Sequence, residues 1–303
     1  MAEYATGKGF DFAWRPMMKR ALIIYFSQGG TNRRVAEIIG KSLGMEGYQV
    51  DLWNLKDGPP PDPREYELLG IGSPVYYYRA PFNVTDFVNS LPNLSGLSAF
   101  VFVVHGAYRG NTGNSIRRTL RLKGAKDIGY FYCYGADYFL GYLKEGCLLS
   151  PDHPTKEELE GAGRFGRDIA ARVAGEPYER PEDDPEVQMI YRLERFLANR
   201  MLVRYFYSRS FRVNAMCRPD CDLCIRRCPV QNIRRGANGK LEWARKCLLC
   251  LSCEMNCPED AITSPVSWSV FRPFMIHNTR HALRDPALDS AKVIHKRGQT
   301  IRL

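Results

Sequence analysis

Eight of the ten cysteines lie within residues 217–257, at spacings that bind metal rather than close disulfides. Cys247, Cys250, Cys253 and Cys257, followed by Pro258, fit C-x2-C-x2-C-x3-C-P, the run that wraps cubane iron–sulfur clusters. Cys217, Cys221, Cys224 and Cys228, followed by Pro229, form an earlier copy. Cys221, Cys224, Cys228, Pro229 and Ile233 return 29 residues later as Cys250, Cys253, Cys257, Pro258 and Ile262. Short gaps let three thiolates grip one cubane, and the fourth cysteine, with proline ending the local turn, reaches the other. That assigns Cys217, Cys221, Cys224 and Cys257 to one [4Fe–4S] cluster and Cys247, Cys250, Cys253 and Cys228 to a second. Three residues, Pro219 among them, separate Cys217 from Cys221, which leaves open a three-iron cluster without Cys217. Paired cysteines also bind zinc, but zinc needs neither the third cysteine nor the Cys-Pro of each half. Clusters carry single electrons, so the expected chemistry is redox.

A second set of residues suits an anion. Ser27, Gln28, Gly30, Thr31 and Asn32 follow an apolar run and open a helical pattern, so hydroxyls and free backbone N–H groups gather at a helix N-terminus. Two further turns follow apolar runs: Ser73, Pro74, Val75 and Tyr76 after the third, and His105, Gly106 and Tyr108 after the fourth.

With these turns, residues 19–175 resemble a flavodoxin, and residues 213–265 resemble a bacterial-type two-cluster ferredoxin. The whole resembles the fused flavodoxin–ferredoxin proteins of anaerobes, flavin domain first. The first resemblance implies FMN, its phosphate held by Ser27, Gln28, Gly30, Thr31 and Asn32. It implies an isoalloxazine ring between Ser73, Pro74, Val75 and Tyr76 on one side and His105, Gly106 and Tyr108 on another. The family order is Asn-Thr where this chain has Thr31 then Asn32, so the amide and hydroxyl roles are exchanged. Tyr76, Tyr77 and Tyr78 offer flat area with a polar tip, suited to stacking, or form an edge-of-core cluster. Arg79, Arg109, Arg117 and Arg118 flank the ring turns without any acid. Near the ring they would favour the doubly reduced anion; otherwise they face solvent.

The elements that position these residues alternate. Strands are expected at Ala21–Phe26, Tyr48–Asn54, Leu68–Gly72, Ala99–Val104 and Ile128–Gly135. Helices are expected at Arg33–Gly44, Pro81–Leu91, Ser115–Leu122 and Pro154–Val173. The fold class is α/β: a flavodoxin-like five-stranded parallel sheet of order 2-1-3-4-5, then a small α+β ferredoxin domain. The expected segments are an N-terminal arm (1–18), an FMN-binding domain (19–175), a linker and bridging helix (176–212), a two-cluster domain (213–265) and a C-terminal tail (266–303). The bridging helix, Val187–Arg209, should bury a stripe of Ile190, Leu193, Leu197 and Met201. Gly161, Gly163 and Gly166 match G-x-G-x-x-G but follow a helical stretch rather than a strand, so no dinucleotide site is expected there. Cys133 reads as a core residue, and no metal geometry is visible for His277, His281 and His295.

The chain carries 43 basic and 33 acidic residues, a formal charge of +10. Two clusters and a flavin phosphate would bring it to about +4, so the basic balance is no argument for nucleic acid. It suits redox partner proteins with an acidic docking face. No apolar run is long enough to span a membrane, no signal peptide is visible, and a cytoplasmic location is expected. The arm and tail are devices for wrapping a neighbour, so a homodimer is expected. Two main functions follow: an electron-transfer protein relaying electrons between FMN and the clusters to or from a partner enzyme, or a flavin-dependent reductase of a quinone or unsaturated small molecule. A redox sensor is a third. No catalytic residue can be named from the sequence.

Overall fold

The computed structural model describes residues 18–303; the expected arm lies outside them except for Met18. Five parallel strands, β1 (Lys19–Tyr25), β2 (Tyr48–Asn54), β3 (Leu68–Pro74), β4 (Ser98–His105) and β5 (Lys126–Tyr134), form one sheet of order β2-β1-β3-β4-β5. Ala21–Phe26 and Ala99–Val104 are buried throughout. Helices on both faces leave these strands no solvent side, which is why they read as unbroken apolar runs. α1 (Thr31–Met45) and α5 (Lys156–Val173) cover one face; α2 (Phe82–Ser90) and α3 (Thr112–Leu122) cover the other. The order and the nine elements are those expected, with ends moved by a few residues.

Two elements were not foreseen. Between β5 and α5 lie α4 (Leu140–Lys144) and a three-residue strand, β6 (Cys147–Leu149). The partner of β6 comes from the far end of the chain, so no local pattern announces it.

The bridging helix is corrected. It runs only as α6 (Met189–Leu197), followed by a wide helical turn at Leu202–Phe206. Asn199 divides the two: its Nδ2 donates to the Phe196 carbonyl (2.8 Å) and its Oδ1 accepts from the Leu202 N–H (3.0 Å), closing one turn and capping the next. The expected stripe does not face inward either. Leu193 and Met201 are exposed, while Tyr191 and Ala198 are buried. The inward face of α6 instead carries Tyr191, whose ring stacks on Tyr78 with centroids 4.6 Å apart.

The cysteine region carries β7 (Arg212–Val213), α7 (Leu223–Arg226), β8 (Ile233–Arg235), β9 (Leu241–Trp243), α8 (Ser252–Met255) and β10 (Ile262–Thr263). β7 pairs with β10 and β8 with β9, both antiparallel. The sequence repeat is a structural one, since the same shift that superposes the cysteines carries α7 onto α8 and β8 onto β10. One apolar core joins this region to the sheet. It runs from the α2 and α3 face through Val203, Tyr207 and Phe211 to Cys224, Ile233, Leu248, Leu249 and Ile262.

After α9 (Arg272–Ala282), the strands β11 (Ser290–Lys296) and β12 (Gln299–Arg302) form a hairpin, and β11 also pairs with β6. The tail is therefore used within the chain, which removes it from the reasons for expecting a dimer. No described helix is long and apolar enough to cross a membrane.

Candidate functional site

α1 starts directly after the loop that leaves β1. Gly30 takes a φ of 100° there, a left-handed conformation that favours glycine. Its N–H donates to the Ser27 hydroxyl (3.1 Å), and its carbonyl accepts from the Arg34 N–H (2.9 Å), which fixes the turn. Ser27, Gln28, Thr31 and Asn32 line a cavity of about 1000 Å³. The Asn32 side-chain oxygen is buried without a partner. Turning that amide over would present N–H groups to a phosphate.

The turns after β3 and β4 line the same cavity through Pro74, Val75, Tyr76, Tyr77 and Tyr78, and through His105, Gly106 and Tyr108. Two expected residues do not line it. Gly30 shapes the loop, and Ser73 is fully buried with its hydroxyl donating to the Pro74 carbonyl (2.8 Å). The Tyr76 hydroxyl donates to Gln28 Oε1 (2.5 Å), tying a ring turn to the phosphate loop. Tyr77 and Tyr78 both have positive φ, 51° and 62°. Such strain, about 1–3 kcal/mol per residue, persists only where the surroundings impose it. Here the Tyr76 and Arg79 backbones hydrogen-bond to each other across the turn.

Burial lowers His105 to about 4, so its ring is neutral at neutral pH, with Nδ1 2.8 Å from the Gly106 carbonyl. A Cβ on Gly106 would meet the Asp137 carboxylate at 2.1 Å. Glycine thus lets Asp137 approach and accept from the backbone N–H groups of Ala107 and Phe139, both at 3.1 Å. Burial raises the Asp137 pKa.

Of the arginines that flank the ring turns, none of the four lines the cavity, and Arg79, Arg109 and Arg117 are engaged elsewhere. Arg79 sits over the Phe82 ring and donates to the Ala198 carbonyl. Arg109 stacks on Tyr132 (3.6 Å to the centroid) and pairs with Asp184 (2.9 Å). Arg117 is fully buried, pairing with Asp127 (3.0 Å) and donating to the Pro181 and Glu182 carbonyls (2.8 Å each). The charges of Arg79, Arg109 and Arg117 hold the segment after α5 and the end of α6.

The cysteine region supplies another wall. Cys228, Leu249, Cys250 and Met255 line the cavity, and the Tyr77 hydroxyl donates to the Leu249 carbonyl (2.8 Å). Cys228, Cys247, Cys250 and Cys253 lie close enough for their charges to act on one another, as do Cys217, Cys221 and Cys224. Burial first, then these neighbours, push Cys250 up to about 12 and Cys224 to about 11; Cys247 also reaches about 11. As free thiols they are protonated, so any metal must displace protons to bind. The backbone N–H of Asn232 donates to Cys228 Sγ (3.2 Å) and that of Ala261 to Cys257 Sγ (3.3 Å), an equivalent pair in the two halves of the repeat. Among the described residues, no group of three or more His, Cys, Asp or Glu side chains closes around a single ion.

Sequence reasoning missed Asp137, Tyr142, Glu194 and Met275, which also line the cavity. The spacing of Tyr191, Glu194 and Ala198 along one face of α6 was a signal for Glu194, hidden by reading only aliphatic residues as inward.

Residues 22–137 match the family model described as a flavodoxin domain. The N-terminal half is a flavodoxin-like domain. A Methanocaldococcus jannaschii protein described as uncharacterized is 26% identical over 152 residues, covering 50% of this chain and 97% of its own length. Among solved structures, a flavodoxin from the domain Archaea is similar at 22% identity, with 51% of this chain and 99% of that one covered and a TM-score of 0.40. Oxidised Flavodoxin 1 from Bacillus cereus is similar at 18% identity, with 50% and 98% covered and a TM-score of 0.42. Each is matched over nearly its whole length by about half of this chain. The cysteine region lies outside the residues that the family model matches.

Proposed function

We propose that the chain is an electron-transfer protein in which FMN, held in the cavity, exchanges electrons with two [4Fe–4S] clusters and, through them, with a partner redox protein. The flavodoxin-like domain supports flavin-based electron transfer. One observation carries the finer reading: a single cavity is walled by the phosphate loop, both ring turns, and the cysteine run at Cys228 and Cys250. A flavin takes or gives two electrons while a cluster carries one, so side-by-side sites convert pairs into single electrons. The protein's part is placement. On the loop that Gly30 shapes, Thr31 and Asn32 would hold the phosphate, the strained tyrosine turn would hold the ring, and Tyr77 fixes that turn to the Leu249 loop. Cys228, Cys247, Cys250 and Cys253 hold the cluster beside the flavin; Cys217, Cys221, Cys224 and Cys257 hold the outer one.

In and next to the cysteine region, Arg209, Arg212, Lys240, Arg245 and Lys246 are exposed, with no acidic partner among the described residues. Such a surface favours an acidic protein as the external partner.

The test is anaerobic reconstitution followed by rapid mixing with a reduced one-electron donor. We expect about eight irons per chain, cluster bleaching first and flavin reduction second. Cys228→Ser should disable the inner cluster and slow flavin reduction. Cys257→Ser should act on the outer cluster. A protein that binds no iron, or a Cys228→Ser variant that reduces its flavin at the normal rate, overturns the reading. A second reading, reduction of a quinone or unsaturated small molecule over the ring, is favoured by the cavity's size and its walls from α6 and α9. It requires saturable reoxidation of the flavin by such a molecule.

A further inference from the structure

Beyond the ring turns the cavity meets a buried polar network that electron relay does not use. Glu194, on α6, lines the cavity. Its Oε2 accepts from the Tyr78 hydroxyl (3.0 Å) and from Asn278 Nδ2 (2.9 Å). Its Oε1 is buried with no hydrogen-bond partner. Tyr78 stacks on Tyr191 with ring centroids 4.6 Å apart. The Tyr108 hydroxyl lies 3.3 Å from the Asn278 carbonyl and 3.4 Å from His281 Nδ1, and His281 is exposed on α9.

The groups facing Glu194 are therefore phenols (Tyr78, Tyr108, Tyr142, Tyr191), the Asn278 amide and the imidazole of His277. No lysine or arginine pairs with it among the described residues. Its neighbour Arg195 is turned away to Asn111 (2.8 Å). A carboxyl removed from water without a paired cation keeps its proton to higher pH than an exposed one, and burial is the main cause of its raised pKa.

We propose that Glu194 is a proton donor to the flavin cavity. The inference rests on FMN occupying the cavity. Two electrons reach the oxidised ring one at a time from the clusters, supplied by a reduced one-electron partner protein. Two protons accompany them. One comes from Glu194, whose O–H bond breaks, and the other from solvent. The Glu194 carboxylate then regains a proton from solvent.

The test uses the protein loaded with FMN and clusters. The flavin is photoreduced directly, so cluster transfer is not required, and the infrared difference spectrum is recorded. We expect a protonated-carboxyl band that changes on flavin reduction, shifts in D2O, moves in Glu194→Asp and is missing in Glu194→Gln. In rapid mixing at neutral pH, Glu194→Gln should slow flavin reduction about 100-fold and leave cluster reduction unchanged, with Glu194→Asp restoring part of the rate. The wild-type band, identified by labelling glutamate with 13C, keeps the proposal testable if the glutamine variant fails to fold. No carboxyl change in the wild type, or a normal rate in Glu194→Gln, overturns the proposal. A carboxyl band without electron passage from clusters to flavin overturns the relay and leaves the proton donor standing.

Discussion

Replacing Tyr77 probes the junction between the turn after β3 and the loop that carries Leu249. Its hydroxyl donates to the Leu249 carbonyl at 2.8 Å, and its ring packs edge-on against Phe139 with centroids 5.7 Å apart. Tyr77→Phe keeps the ring and deprives a buried carbonyl of its donor, so it should cost about 1–3 kcal/mol. Tyr77→Ala also removes the ring. The void would merge with a neighbouring cavity of about 50 Å³ lined by Tyr77, Phe139 and Leu249, and the loss should be about 3–5 kcal/mol. The backbone supplies a further control. Because φ is 51°, alanine retains the left-handed penalty of about 1–2 kcal/mol that glycine escapes. Tyr77→Gly should therefore be more stable than Tyr77→Ala, although it has the smaller side chain. Anaerobic denaturant titration of the loaded protein, followed by flavin fluorescence and circular dichroism, gives the order tyrosine, phenylalanine, glycine, alanine. Rapid mixing should show slower cluster-to-flavin transfer along the series. A phenylalanine variant with unchanged stability and transfer, or a glycine variant weaker than alanine, refutes the reasoning.

Two more predictions concern stability. The folded chain holds His105 neutral down to about 4, whereas the unfolded chain protonates it near 6.5. Its contribution is therefore complete above about pH 6.5, falls as the pH drops, and is gone below about pH 4, amounting to about 3 kcal/mol; His105→Gln should flatten that part of the stability curve. Asp184 accepts from the Tyr130 hydroxyl (2.7 Å) and the Asn114 N–H (3.0 Å) besides pairing with Arg109. Asp184→Ala strands these donors and a largely buried guanidinium, so denaturation should show a loss of about 3–5 kcal/mol; a loss under about 1 kcal/mol would make the segment a loose tether.

The strands and helices were legible from local signals: apolar runs of strand length, separated by helical periods and broken at glycine-rich turns; their order in the sheet came from the resemblance to flavodoxins. The turns after β1, β3 and β4 were legible as turns because each lies at a strand's end; the roles expected of them came from the resemblance. What could not be read depends on distant partners. β6 is three residues long and becomes a strand only against β11. The segment after α5 looked like a linker because charge and proline were its only features. Its role is set by Arg109, Arg117 and Asn114, some seventy residues earlier. Those same arginines, read locally, could face either the ring or solvent; their acids lay outside the window. α6 misled in another way, since a buried stripe was sought among aliphatic side chains while its inward face carries Tyr191 and Glu194.

The hairpin at Ser290–Arg302 has a consequence for the order of events during synthesis. It is translated after everything it fastens. β11 closes onto β6, Arg302 pairs with Asp152 (2.9 Å), and the Gly298 N–H reaches Asp260 (3.0 Å) beside the last cysteine. Until those residues leave the ribosome, the stretch from β5 to α5 and the cysteine region lack this clasp. α9, which brings Met275 to the cavity wall, is likewise made late. The chain thus has an interval in which the sheet can exist without this clasp. Loss of the hairpin should therefore loosen the β5–α5 stretch and the cysteine region while leaving the order of the parallel sheet intact.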